Sequence, residues 1–190
     1  MIIFHGSSEI VKVPSVYKGR EDIDFGAGFY TTEDKKMAQK WACNKRNSFL
    51  NIYNADITSL RVKKLQPNKE WLDYVVANRR LDPDIAPFDD RKYDVIIGPT
   101  ADDKLFVVVD MYLDGFISAD KAIKVINCMH YSDQITFKTQ DALDHCVKFE
   151  DVKKLYGLEK ETLRRAFQND AKIAAERTRT LLAELNKPSR

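Results

Sequence analysis

A chain of 190 residues can bury the core of one ordinary domain, and 44% hydrophobic with 32% charged residues excludes both a disordered and a membrane-embedded composition. The 31 basic and 29 acidic side chains leave a net charge of +2, which carries no chain-wide electrostatic footprint for nucleic acid. No apolar run reaches the ~18 residues of a spanning helix, the amino terminus does not read as a signal peptide, and the widely spaced Cys43, Cys128 and Cys146 suit a reducing cytoplasm better than a disulfide framework.

Residues 1–5 are apolar and β-rich and are expected to form a first strand, followed by a loop or edge strand over 9–16 that Pro14 interrupts. The segment 33–46 places acids early, bases late and Met37, Ala38, Trp41 and Ala42 at helical spacing, so a helix is expected with Thr31 or Thr32 as its cap. Residues 49–57 alternate as a half-buried strand, with 60–65 a candidate to pair with it. Trp71, Tyr74, Val75 and Asn78 follow helical spacing, and 93–97 reads as a buried strand stopped by Gly98-Pro99. Helices are expected over 105–113 and 118–126, a strand over 134–137, a short helix to Cys146 and a last strand over 147–149. From 150 to 186 the pattern changes to one long helix or a helical pair with a narrow, Ala-rich apolar face that could lie on the domain or receive a partner. Residues 1–150 are therefore read as the domain and 151–190 as a C-terminal helical extension. The basic groups at 35–46 and 164–179 fall on expected helices and read first as solvated faces.

Two short segments carry the chemistry. Residues 4–7 read Phe-His-Gly-Ser, and 24–32 read Asp-Phe-Gly-Ala-Gly-Phe-Tyr-Thr-Thr. A Gly-x-Gly turn presents backbone where a side chain would block a ligand, and His5, flanked by small residues, leaves ring and backbone groups able to meet a flat polar guest. Trp41 lies eleven residues after Tyr30 along the expected helix, so two aromatic rings are placed to sandwich a heterocycle. His130 and His145 with Cys128 and Cys146 show no zinc-site spacing, no Gly-x-x-x-x-Gly-Lys phosphate loop occurs, and no Gly-x-Ser-x-Gly supports a serine nucleophile.

These segments resemble the ADP-ribosyltransferases of the diphtheria-toxin and poly(ADP-ribose) polymerase type, and look still closer to a group of small bacterial proteins of unknown function that share Phe-His-Gly-Ser, Asp-Phe-Gly-x-Gly-Phe-Tyr-Thr-Thr, Gly-Pro-x-Ala-x-Asp and Asp-Gln. Here the last two stand at 98–103 and 133–134, so the resemblance covers about residues 1–150. It implies an α+β fold with two small, mainly antiparallel sheets around an NAD cleft. It further implies that His5 bonds the adenosine-side ribose, that Gly6 holds the nicotinamide amide through its backbone, and that Tyr30 and Trp41 enclose the nicotinamide ring. Ser7, Phe25 and Gly28 complete the cofactor wall, and Arg20 is the candidate for the pyrophosphate because a guanidinium fork suits two phosphates.

The third position departs from that pattern, since Gln134 stands where the family places a Glu. An amide can bond a ribose hydroxyl but cannot set a full charge against an oxocarbenium-like transition state or act as general base. That argues against polymer elongation and leaves single ADP-ribose transfer, with His5, Tyr30 and Gln134 as catalytic residues and Asp133, Asp103 or Glu9 as candidates for the missing carboxylate. The resemblance implies transfer from NAD to a protein or nucleic acid, a toxin of a toxin–antitoxin or phage-defence system, an antitoxin partner, and cytoplasmic action without a membrane. The alternatives are a catalytically weak NAD-sensing or protein-interaction module on the same fold, and transfer of an RNA 2′-phosphate to NAD.

Overall fold

The computed structural model describes residues 1–101, 106–128 and 132–185. Its first sheet has the order β1 (Ile2–Ser7), β3 (Phe49–Ala55), β7 (Val147–Lys154), antiparallel throughout. The second has the order β2 (Phe29–Thr31), β6 (Asp133–Phe137), β5 (Val95–Pro99), β4 (Val62–Lys64), antiparallel except for the parallel β4–β5 pair. Six α-helices accompany them among the described residues: α1 (Lys35–Cys43), α2 (Lys69–Arg80), α3 (Phe106–Leu113), α4 (Ala119–Asn127), α5 (Gln140–Cys146) and α6 (Gly157–Leu185). The chain is thus α+β with two small, mostly antiparallel sheets, and no described helix is long and apolar enough to cross a membrane.

Strand alternation divides the core in two. Phe29, Val95, Ile135 and Phe137 of the second sheet meet Ile3, Tyr53 and Val147 of the first, which joins the sheets. Ile96, one residue on from Val95, points the other way and packs with Trp71, Leu72 and Val75 of α2, Val108 and Val109 of α3, Val125 and Ile126 of α4, and Ala174 and Leu182 of α6.

Several elements differ from the sequence reading for identifiable reasons. Asp34, not a threonine, caps α1, accepting from the Lys36 and Met37 amides. Both threonines are committed to β6: Thr31 donates to the Ile135 carbonyl, and Thr32 donates to the Asp133 carbonyl while accepting from the Asp34 amide. The segment near Leu60 joins the second sheet, not β3, because Asp94 at the head of β5 takes the Arg61 amide and guanidinium and the Leu65 amide reaches the Ile97 carbonyl. Gly98 and Pro99 continue β5 instead of ending it, with the Pro99 carbonyl taken by the Trp71 indole at 2.8 Å. β7 runs past residue 150 to Lys154 and pairs with β3 to that point.

Candidate functional site

The site begins where the two sheets come apart. β1 and β2 touch through a single bridge, Phe4 with Thr32, closed by amide–carbonyl bonds of 2.8 and 3.0 Å. The next such pair in an antiparallel ladder would be Gly6 with Tyr30. Instead His5 Nδ1 lies 2.7 Å from the Tyr30 carbonyl, so the imidazole takes the acceptor that the Gly6 amide would have used. The strands diverge, and by the alternation of the ladder the Gly6 N–H and C=O turn into the gap. A carbonyl only accepts, so Nδ1 carries the hydrogen and Nε2 of the neutral ring is left as an acceptor. The ring lies on Phe29 with centroids 4.5 Å apart, and burial pushes its pKa below the ordinary histidine value, partly opposed by the Tyr30 carbonyl. Gly6 is a glycine for a packing reason as well: a Cβ there would stand 1.9 Å from the Ala38 carbonyl oxygen and 2.8 Å from the Ala42 nitrogen of α1.

The glycine-rich turn is closed by Tyr30 itself. Its hydroxyl donates to the Gly26 carbonyl at 2.7 Å and accepts the Phe25 amide at 3.0 Å, so the phenol is committed to the turn and the ring forms a fixed wall. Burial, then the charge of Asp24, pushes its pKa well above the usual tyrosine value. Gly26 supplies the positive φ, +67°. Gly28 is required by close approach to β6, where a Cβ would come within 2.7 Å of the Phe137 carbonyl oxygen and of the Thr136 methyl.

These elements enclose a cavity of about 660 Å³. His5, Gly6 and Ser7 come to it from β1, Gly28 and Tyr30 from the turn and β2, Trp41 from α1, Gln134 from β6, and Arg20 from the preceding loop. Of the residues that the resemblance assigns to the cofactor, Phe25 alone lies elsewhere: it is fully buried, 5.6 Å from Tyr74 between ring centroids, and cannot reach a ligand in the cavity. Arg20 is at the rim, 72% exposed and bound through two nitrogens to Asp22, each at 2.9 Å. Lys18 and Lys45 line the same cavity, and among the described residues neither has such an acid partner. A second cavity of about 740 Å³ lies on the other side of the turn and holds none of the candidate residues.

The side chains around Gln134 include several the sequence did not mark. Asp24 Oδ1 accepts Arg79 Nε at 3.2 Å and Nη2 at 2.9 Å, while Oδ2 accepts the Ala101 amide at 2.7 Å and Gln134 Nε2 at 3.3 Å. Thr100, 2% exposed and lining the cavity, has a hydroxyl with no hydrogen-bond partner. Asn51, wholly buried on β3, donates to the His5 and Glu9 carbonyls and Ser7 Oγ and accepts the Val11 amide, which fixes the loop forming the upper wall. Of the carboxylates considered for the site, Asp133 is exposed at the start of β6 and does not line the cavity, Glu9 lines its rim, and Asp103 lies outside the described residues, as does His130. Asp24 stood inside a motif whose glycines and tyrosine drew attention away from it. Arg79, Asn51 and Thr100 carry no local signal.

Residues 1–149 match the family described as a protein of unknown function (DUF3990), and the chain belongs to that family. No curated protein and no solved structure matches it.

Proposed function

We propose that this DUF3990 member has an ADP-ribosyltransferase-like fold and moves one ADP-ribose from NAD to a macromolecular acceptor, protein or nucleic acid, with release of nicotinamide. The observation that carries the reading is the convergence of His5, Gly6, Tyr30, Trp41 and Gln134 from four separate elements on one cavity. Its volume, about 660 Å³, is in the range of pockets that hold a molecule of this size. Gly6 offers an amide and a carbonyl to a carboxamide, Tyr30 and Trp41 offer faces to the pyridine ring, and His5 Nε2 offers an acceptor to a ribose hydroxyl. Lys18 and Lys45 hold the diphosphate in place of Arg20, whose charge Asp22 already compensates.

In the reaction the C1′–N bond of the nicotinamide riboside breaks and its electron pair leaves on the ring nitrogen. The acceptor atom bonds C1′ and loses its proton to solvent. The chain contributes position and desolvation, which can supply several powers of ten without a charged base. A toxin of a toxin–antitoxin or phage-defence system, with an antitoxin partner, is the biological setting proposed for such an activity.

The purified protein should release nicotinamide from NAD and leave one ADP-ribose on an acceptor by mass. Tyr30→Ala and His5→Ala should abolish release, and Lys18→Ala with Lys45→Ala should weaken NAD binding more than Arg20→Ala. A neutral Gln134 favours a second reading, an NAD-binding module: tight retention of NAD with no release across varied acceptors would select it.

A further inference from the structure

We propose that Asp24 is the carboxylate of the cavity and a positioning residue that acts through Gln134, so that the site's negative charge sits one side chain behind β6. The proposal rests on the transfer reading for its role in turnover, but not for the pairing itself. Asp24 and Arg79 each leave only 14% of the side chain exposed. Four donors, two from Arg79 and one each from Ala101 and Gln134, fill the roughly four lone-pair sites of the carboxylate. Asp24 therefore has no site left for a guest and cannot act on one directly.

What it does is fix an amide. A Gln134 side chain turned the other way would set Oε1 against the Asp24 carboxylate, so the donor nitrogen must face Asp24. Oε1 then remains as an acceptor with no protein donor among the described residues, and the cavity is the space it borders. A guest hydroxyl that donates to Gln134 Oε1 satisfies it, which is the chemistry of a ribose hydroxyl. Polarised by Asp24, the amide oxygen carries part of the negative charge that a Glu at this place would carry whole.

It follows that a Glu at 134 is wrong for this chain. The substitution brings a second carboxylate to the 3.3 Å contact now made by the amide nitrogen, and two such groups hold a proton between them instead of two charges. The test uses the full-length wild type, Gln134→Glu, Asp24→Asn and the double variant, read by urea unfolding at pH 5 and pH 8 and by nicotinamide release from NAD. Gln134→Glu should lose stability relative to wild type more at pH 8 than at pH 5, because the shared carboxyl's raised pKa leaves its stabilising proton in place only at the lower pH. In the Asp24→Asn background that pH difference should vanish. Release should fall about 10²-fold in Gln134→Glu and in Asp24→Asn, and in the double variant by much less than the product. A Gln134→Glu protein with no pH-dependent penalty overturns the pairing, even if Asp24→Asn does not fold. Wild-type release that Asp24→Asn leaves intact overturns the positioning role and keeps the transfer reading. Coupled unfolding with no release from wild type supports the pairing and removes the transfer reading.

Discussion

A histidine that donates from Nδ1 to a backbone carbonyl has its other ring nitrogen committed as an acceptor only while the ring is neutral, and in His5 burial holds it so. Protonation therefore does two things at once. The folded-state pKa is depressed below the ordinary value near 6.5, to which the unfolded ring returns. Between those two values the unfolded chain binds the extra proton, so the stabilising contribution is complete above about pH 6.5 and is lost as the pH falls toward the folded value. Over the lower part of the same range Nε2 turns from acceptor to donor and no longer suits a hydroxyl hydrogen. His5→Gln, whose amide oxygen can accept at any pH, is expected to flatten the difference in urea midpoint between pH 7 and pH 5.5 relative to wild type, and to remove the acid limb of NAD binding. An unchanged midpoint difference would show that the His5 ring does not carry this pH dependence, its pKa then being the same in the folded and the unfolded chain.

At the scale of elements, the cavity exists because β1 and β2 part after one bridge, where the His5 ring takes the Tyr30 carbonyl, and Asn51 behind β1 holds the loop that walls the gap. Asn51→Leu conserves bulk but leaves the Val11 amide without its protein partner and takes one donor from the His5 and Glu9 carbonyls, the latter keeping the Ser7 hydroxyl. It should cost about 1–3 kcal/mol of stability and raise the KM for NAD severalfold with a smaller change in kcat, since the wall is loosened while Gln134 and Asp24 stay in place. Asn51→Asp is expected to be worse, because its carboxylate would face the same two carbonyls. Steady-state kinetics beside denaturant titration separates these outcomes. Much of this arrangement was legible in the sequence. His5, Gly6 and Tyr30 sit in contiguous motifs, Trp41 follows Tyr30 by helical periodicity, and Gln134 opens a clearly patterned strand. What was not legible depends on contacts across long stretches of chain: Arg79 reaches Asp24 across 55 residues and Asn51 reaches His5 across 46, and neither leaves a periodic trace. The pairing of β4 was missed for the same cause, since Arg61 is recruited to β5 by Asp94, 33 residues away. Phe25 shows the opposite failure, a motif residue whose role is to fill the core under the turn.

For the molecule as a whole, the question is whether the last helix is an appendage or part of the domain. The composition changes near residue 150, yet β7 stays in the first sheet to Lys154, and α6 then crosses both α1 and the helical core. Lys160 Nζ donates to the Lys45 and Arg46 carbonyls beyond α1 at 2.6 and 2.9 Å. Farther along, Ala174, Thr178 and Leu182, spaced four residues apart, bury one face, and Ala174 and Leu182 pack in the cluster that includes Val108, Val125 and Ile126. Earlier in the helix Leu158 is 83% exposed. The two leucines therefore make opposite predictions. Leu182→Ala removes a side chain that closes the core and should cost about 2–4 kcal/mol, whereas Leu158→Ala should change stability by no more than about 0.5 kcal/mol. Because α1 carries Trp41 and is held by β1 on one side and α6 on the other, loosening α6 should also reach the cavity. Leu182→Ala is expected to weaken NAD binding in proportion to its loss of stability, and Leu158→Ala to leave it unchanged. Equal, small effects of both substitutions on unfolding would mean that the helix is carried by the domain without completing it.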